Sequence, residues 1–285
     1  MSKNIVKHWD SLGAALAVAQ GPAGPDWGTA SRQSQSIDKD FSGVGSMAEA
    51  VTLAQHGWEA GRKSMVQNLE SLSAAPSLAR GPAYSLDVAG AYPVPALAAC
   101  GDPLSMVSPA PMSERVRPII RLAVSCAVSW RYDAKEIQAY GAGLLGIIDA
   151  LESADFRCEL TGGFYFNASN EKAMFTIKLK EAQDPLDLDR HAFCLCHAAF
   201  LRRIGFGLME SCLNGSRWGG SYGTPRIPDE SELKDHIKLA GPQQFKAGGP
   251  ELKSPLSAFK AMVPVLSAQL VDRFADFPPL QLAGA

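Results

Sequence analysis

Four side chains able to bind a soft metal fall within seven residues, in His191-Ala192-Phe193-Cys194-Leu195-Cys196-His197. On a helix His191 shares a face with Cys194, and Cys194 with His197, because positions three apart are neighbours. Cys196 points elsewhere. A zinc or iron centre needs four converging ligands, or three and a water, so a further ligand would have to come from Cys126, Cys158 or His236. One reading of His191, Cys194 and His197 is a metal-dependent enzyme. The other is an apolar helix with small thiols in the core and histidines at its edge.

A second group is the stretch from Gly215 to Arg226, which sets Arg217 and Arg226 beside Trp218 and Tyr222 in a glycine-rich loop. Two guanidinium groups and two aromatic rings can reach phosphates and stack on bases. The same composition also suits a loop whose rings fold back onto the domain. No phosphate-loop lysine pattern is present. Arg121 belongs to a third group, on the small-residue face of its strand with Ser125 and Ser129, which leaves room for a ligand or a packed helix. Glu210 is a candidate ion-pair partner for Arg203, in the Arg202-Arg203 helix.

Other reactive patterns are missing from the sequence. There is no Gly-x-Ser-x-Gly elbow and no cysteine context that lowers a thiol pKa. Asp184, Asp187 and Asp189 sit at a proline-broken turn, where they serve as helix-start charges. No cofactor is implied.

The elements that must hold these groups are legible in the spacing of apolar residues. Ile120, Leu122, Val124, Cys126, Val128 and Trp130 alternate with small or polar residues, which predicts a strand with one face on the core. Asp133 then caps a helix carrying Ile137, Tyr140, Leu144, Ile148 and Leu151. Phe156, Cys158 and Leu160 alternate again, giving strand, helix and strand: a βαβ unit with a parallel pair. Phe175, Ile177 and Leu179 predict another strand, Asp189 a cap for an apolar helix from 190 to 212, and His236 to Leu239 a short strand. A last helix runs from 255 to 274, bent at Pro264. The order predicts an α/β fold, a three-layer sandwich with a βαβ unit.

Upstream, Ser46 with Glu49 three positions on has capping-box spacing, ahead of a stripe of Met47, Ala50, Val51 and Ala54. A second helix is expected over 58–72. Prolines at 76, 82, 93, 95, 103, 109 and 111 preclude a long helix or central strand over 73–113. Residues 1–40 carry breaker and linker signals and are expected to form a flexible arm; 41–113 a helical region and a Pro/Gly-rich connector; 114–285 the α/β core domain with a C-terminal extension.

Composition bounds the rest. With 285 residues, 46% hydrophobic and 20% charged, the chain can bury a sizeable core. A net charge of −2 exerts no global pull on nucleic acid or anionic lipid. The start, with Lys3, Lys7 and an Ala-rich run over 11–19, only superficially resembles a secretory leader, since Trp9-Asp10 interrupts it. No stretch approaches the roughly 20 apolar residues of a bilayer span, so no membrane partner is expected. Cysteines 100, 126, 158, 194, 196 and 212 fall in apolar patterns, as buried reduced thiols of a cytoplasmic protein would.

Two resemblances follow from the residues. Phe41-Ser42-Gly43-Val44-Gly45-Ser46-Met47-Ala48-Glu49-Ala50, Leu53 to Gly61, and Asp87-Val88-Ala89-Gly90 through Gly101-Asp102-Pro103-Leu104-Ser105-Met106 resemble an uncharacterised family of bacteriophage-encoded proteins. That likeness covers roughly 40–215 and implies a viral or prophage origin and life in the host cytoplasm, with no catalytic residues to transfer. The strand, loop and helix at 119–152 also resemble the first unit of a von Willebrand A-type domain, which holds a metal on an Asp-x-Ser-x-Ser loop. Here the matching place reads Ser125-Cys126-Ala127-Val128-Ser129 without the leading Asp, and two hydroxyls hold a hard cation poorly. The expected function is a non-catalytic binding protein acting on a protein or nucleic-acid partner through Arg217, Trp218, Tyr222, Arg226 and Arg121. The alternatives are the metal-dependent enzyme and a virion or assembly component.

Overall fold

The computed structural model describes residues 3–27, 42–63, 66, 84–88, 92–109, 118–153, 156–168, 171–218, 222–229, 231–239 and 241–273. The chain opens with strand β1 (Lys3–Trp9) and helix α1 (Leu12–Ala19), then α2 (Met47–His56). The capping box forms as its spacing predicts: Ser46 Oγ accepts the Glu49 N–H at 3.1 Å and Glu49 Oε2 accepts from Gly45 N–H at 2.7 Å. Gly57 ends α2 at φ 92°, where a Cβ would also collide with Asp189. Helix resumes over 59–63, so most of the helix expected at 58–72 lies outside the described residues.

The proline-rich stretch carries short elements: β2 (Tyr84–Asp87), β3 (Tyr92–Pro93), α3 (Pro95–Ala99) and β4 (Met106–Pro109). The three strands form a small antiparallel sheet in the order β2-β4-β3. Pro93 falls on the edge strand β3 and Pro95 at the start of α3, where proline is tolerated, and Pro109 is the last residue of the central strand β4.

The core then follows as strand β5 (Ile119–Ser125), helix α4 (Ala134–Ser153), strand β6 (Arg157–Ala168) and strand β7 (Glu171–Lys180). β5 and β6 pair in parallel from Ile119↔Arg157 to Ser125↔Gly163, so the βαβ unit is present. β7 returns antiparallel to β6. In β6 every residue from Leu160 to Phe166 is buried, on both faces of the pleat. A strand buried on both sides needs a layer above and one below. The molecule is an α/β sandwich, a six-stranded mixed sheet flanked by helices.

The remaining elements are α5 (Leu188–Cys196), a π-helical turn at Phe200–Gly205, α6 (Phe206–Cys212), β8 (Thr224–Pro225), β9 (Ile237–Leu239) and α7 (Pro255–Arg273). Main-sheet order is β1-β7-β6-β5-β9, with β8 on the far end of β6. Three expectations change. Asp187 rather than Asp189 caps α5, its carboxylate accepting from Arg190 N–H at 3.2 Å, while Asp189 pairs with Arg62. The single helix expected over 190–212 is broken at His197 and kinked by 70°.

The third change concerns the N-terminal arm, which is built into the sheet. β1 pairs in parallel with β7 over seven residues, Trp9 meets Phe175 edge-on at 5.8 Å, and Ala15, Leu16 and Ala19 of α1 are in the core. Burying each such large side chain contributes about 2 kcal/mol, so apolar residues of a segment rich in Gly and Pro still dock. Residues 28–40 lie outside the described residues.

Candidate functional site

A cleft of about 700 Å³ opens at the carboxyl ends of β5 and β9. These two strands mark where the chain order departs in both directions: β5 runs through α4 to β6 on one side, and β9 lies on the other. The carboxyl ends of strands at such a reversal leave a crevice that helices do not fill. The loop after β5, Val128 to Tyr132, forms one wall. Leu201 and Arg202 of the π turn and Phe206 of α6 form the second, and Phe166, Tyr222 and the turn at Thr224-Pro225 the third.

The walls are braced from behind. Gln243, just past β9, donates to Ala127 O at 2.7 Å and Ser125 Oγ at 3.1 Å. Gly241 makes that turn at φ 79°, where a Cβ would fall 2.6 Å from Ser125 O. Tyr132 Oη donates to Phe245 O at 2.7 Å. Tyr222 lies between Phe206, stacked at 3.7 Å between ring centroids, and Trp27 at 5.3 Å, and its hydroxyl donates to Glu210 at 2.5 Å.

At the mouth, Trp130 is 77% exposed with the Arg131 guanidinium 6.0 Å from its ring. Two arginines line the cleft, and its described lining contains no Asp, Glu, His, Cys or Lys. It can therefore hold a ligand through rings, hydroxyls and positive charge, but those residues include no group suited to general acid or base work near neutrality.

The loop residues singled out from the sequence turn inward. Trp218 is 2% exposed, with its Nε1–H donating to Glu171 Oε2 at 3.1 Å. Tyr222 contributes a wall, but both its faces are covered by the rings just named. Arg226 is buried in a bidentate pair with Glu232, at 2.6 and 2.7 Å, which raises its own pKa and lowers that of Glu232. The side chain of Arg217 lies outside the described residues. Arg121 stands away from the cleft lining, pairing across the strands with Glu159 at 3.7 Å. The sheet thus folds the aromatics and Arg226 back onto the domain and leaves them unsuited to stacking on bases.

The His191, Cys194 and His197 set does not converge. Among the described residues no three His, Cys, Asp or Glu are placed to hold an ion. His191 faces Leu179 O, 3.2 Å from its Nε2, and burial lowers its pKa. Burial raises the Cys194 thiol well above its ordinary value. His197 ends α5 in extended backbone, and its Nδ1 accepts the Ala199 N–H at 3.1 Å. It packs edge-on against Trp58 at 4.6 Å, and burial drives its pKa down to about 4. The helix bend thus separates residues that an unbroken helix would have aligned.

Cys126 and Cys158 are buried, both pushed up to about 12 by desolvation, which suits inert core thiols. Cys100 differs from expectation in being exposed. The loop at Ser125 to Ser129 brings no carboxylate; Ser125 Oγ is met by Gln243 and Ser129 Oγ by Arg131 N–H at 3.5 Å.

The cleft residues that the sequence did not single out as a site include Trp130, Arg131, Arg202, Phe206 and Gln243. The alternation carries the strand on to Trp130, whereas β5 ends at Ser125. A large aromatic followed by Arg131 just ahead of the Asp133 cap was the available signal of a loop tip.

Among the described residues no single helix is long and apolar enough to cross a membrane; only the bent pair of α5 with 200–212 passes by length and composition, and most of it is core. Comparison with curated proteins and with solved structures returns no match. One family match spans residues 2–247, and on that coverage the chain belongs to the family described as Domain of unknown function (DUF7192).

Proposed function

We infer that the chain is a non-catalytic binding protein that grips its partner through the cleft at the ends of β5 and β9. A protein partner is favoured over nucleic acid. One observation carries the reading: a pre-built apolar cleft of about 700 Å³ whose described lining holds rings, hydroxyls and guanidinium groups but no carboxylate, imidazole, thiol or amine. Trp130 supports it, since it is a large ring left in water beside the cleft and Trp is enriched among the residues that carry binding energy at interfaces. The inward-turned Trp218, Tyr222 and Arg226 weigh against base stacking, as does the net charge of −2. If the resemblance to phage-encoded proteins holds, the partner is met in the cytoplasm of an infected bacterium.

The test places a photo-crosslinking amino acid at position 130, and at position 6 as a control, since Val6 is 56% exposed on the sheet edge. In cells, position 130 should give a discrete adduct that resists nuclease and disappears with protease. Arg131→Glu should reduce it at least about tenfold, the loss expected for one charged contact. Equal labelling at both positions, or a nuclease-sensitive adduct, overturns the reading.

A further inference from the structure

The cleft is more specific than an apolar groove, and its lining carries a charge pattern that the whole chain does not. The protein has 27 basic and 29 acidic side chains, yet the described lining of the cleft has two arginines and no acid. Carboxylates near the lining in sequence have their own hydrogen bonds: Asp133 and Glu136 cap α4, with Glu136 also accepting from Gly248 N–H at 2.5 Å, and Glu210 takes the Tyr222 hydroxyl. Positive charge in a cleft with low-dielectric walls acts more strongly than on an open surface.

The placement of Arg202 comes from an unusual backbone. It sits in the π turn, Phe200–Gly205, where the widened helix changes which side chains face the sheet ends. Such turns are rare and are frequent at functional sites. Arg202, Leu201 and Val128 also line a small second cavity of about 20 Å³, so the arginine is shared between the cleft and that cavity. Burial lowers its pKa from the ordinary arginine value, and a guanidinium keeps its proton in proteins.

The rings form the complementary surface. Trp27, Tyr222 and Phe206 make one continuous stack with interplanar angles of 19° and 8°, and Phe206 ends that stack while lining the cleft. Rings locked by their neighbours need no ordering when a ligand arrives. Trp130 with Arg131 supplies a second ring and a second cation at the mouth.

We propose that this cleft binds a small planar aromatic anion, its ring against Phe206 and Trp130 and its anionic group toward Arg202 and Arg131. The inference rests on the cleft being the binding site. Two sources carry that chemistry: an aromatic carboxylate, such as the free end of a chain finishing in an aromatic residue, and a nucleoside monophosphate. Both are recognised by the same features, flat ring and negative charge.

The test uses the full chain and two matched pairs in calorimetry: N-acetyltryptophan against its amide, and adenosine monophosphate against adenosine. The anion of one pair should bind at least about tenfold tighter than its neutral twin, and the pair that shows this names the source. Arg202→Gln should abolish the preference while leaving the neutral twin unchanged. Should that variant fail to fold, Arg131→Gln at the exposed mouth should reduce the preference severalfold, and Trp130→Ala should weaken both members of the pair alike. Equal affinity for charged and neutral twins, or no binding of either pair, overturns the inference. Crosslinking at position 130 with no binding of these probes would leave the binding-protein reading standing and remove only the ligand class; probe binding without crosslinking would do the reverse.

Discussion

At the scale of single residues, the groups that stood out by type are mostly engaged in holding the fold. His197 illustrates how. Its neutral ring accepts the Ala199 N–H that the broken helix leaves without a carbonyl, and burial holds its pKa at about 4, opposed only by the charge of Glu49. An unfolded chain would protonate this imidazole near 6.5, the native chain only near 4. Above pH 6.5 the two states bind the proton equally and nothing is at stake. As pH falls from about 6.5 toward 4, the unfolded state gains a proton that the native state refuses, so stability is lost across that window, by about 3 kcal/mol at most. His191, also lowered by burial, adds in the same direction. Urea unfolding of His197→Asn, which keeps an acceptor and cannot titrate, should show a shallower decline between pH 7 and 4 than the parent. An identical decline would show that His197 is not the responsible group. Lys180 makes the complementary point: its fully buried ammonium reaches Glu152 at 2.6 Å and Cys158 O at 2.8 Å, a buried charge retained because it is both paired and hydrogen-bonded.

At the scale of elements, caps and periodicity were readable because they are local. The Asp133 cap on α4 is a reciprocal box, with Asp133 Oδ1 accepting from Glu136 N–H at 2.8 Å and Glu136 Oε2 from Asp133 N–H at 3.0 Å. Asp133→Ala should cost about 1 kcal/mol, read as a lower urea midpoint at unchanged slope. No change would mean that tertiary packing alone holds the first turn of α4. The alternation over 120–130 and 175–180 likewise predicted β5 and β7, though β5 ends at Ser125 and β7 starts at Glu171, and the helical stripe from Ile137 to Leu151 predicted α4. The 190–212 stretch was read as one helix because its apolar residues keep helical spacing on either side of His197. Nothing in that spacing reveals a turn where the backbone leaves helix and returns as a π segment, since apolar residues flank Arg202 and Arg203 at helical spacing on both sides.

At the scale of the whole molecule, the sheet is completed by its first strand. Without β1, Ala173, Phe175 and Ile177 of β7 would lose the strand that covers their edge and the packing of Ile5 and Trp9. Removing residues 1–10 should therefore cost at least about 3 kcal/mol, comparable to deleting one buried aromatic. The expected readout is a thermal midpoint lowered by about 10 °C, with association through the bared edge visible in size-exclusion chromatography. An unchanged midpoint would restore the picture of a free arm. The cleft is a property of the same scale, since its walls come from the β5 loop, the β6 end, the π turn, the 222–225 turn and the residues after β9.

By itself the sequence determined the α/β class, the parallel pair around α4, a further strand at β7, the capping box at Ser46, the cap at Asp133, and the burial of four of the six thiols. Each of these follows from hydrophobic spacing or a side chain bonding to backbone three residues away, interactions that a short window of chain contains. Only the tertiary structure decided that β1 closes the sheet, that Trp218, Tyr222 and Arg226 turn inward while Trp130 stays in water, and that Arg202 lines a cleft. Those outcomes depend on which distant segment covers a given face, a competition among long-range contacts that local periodicity leaves open.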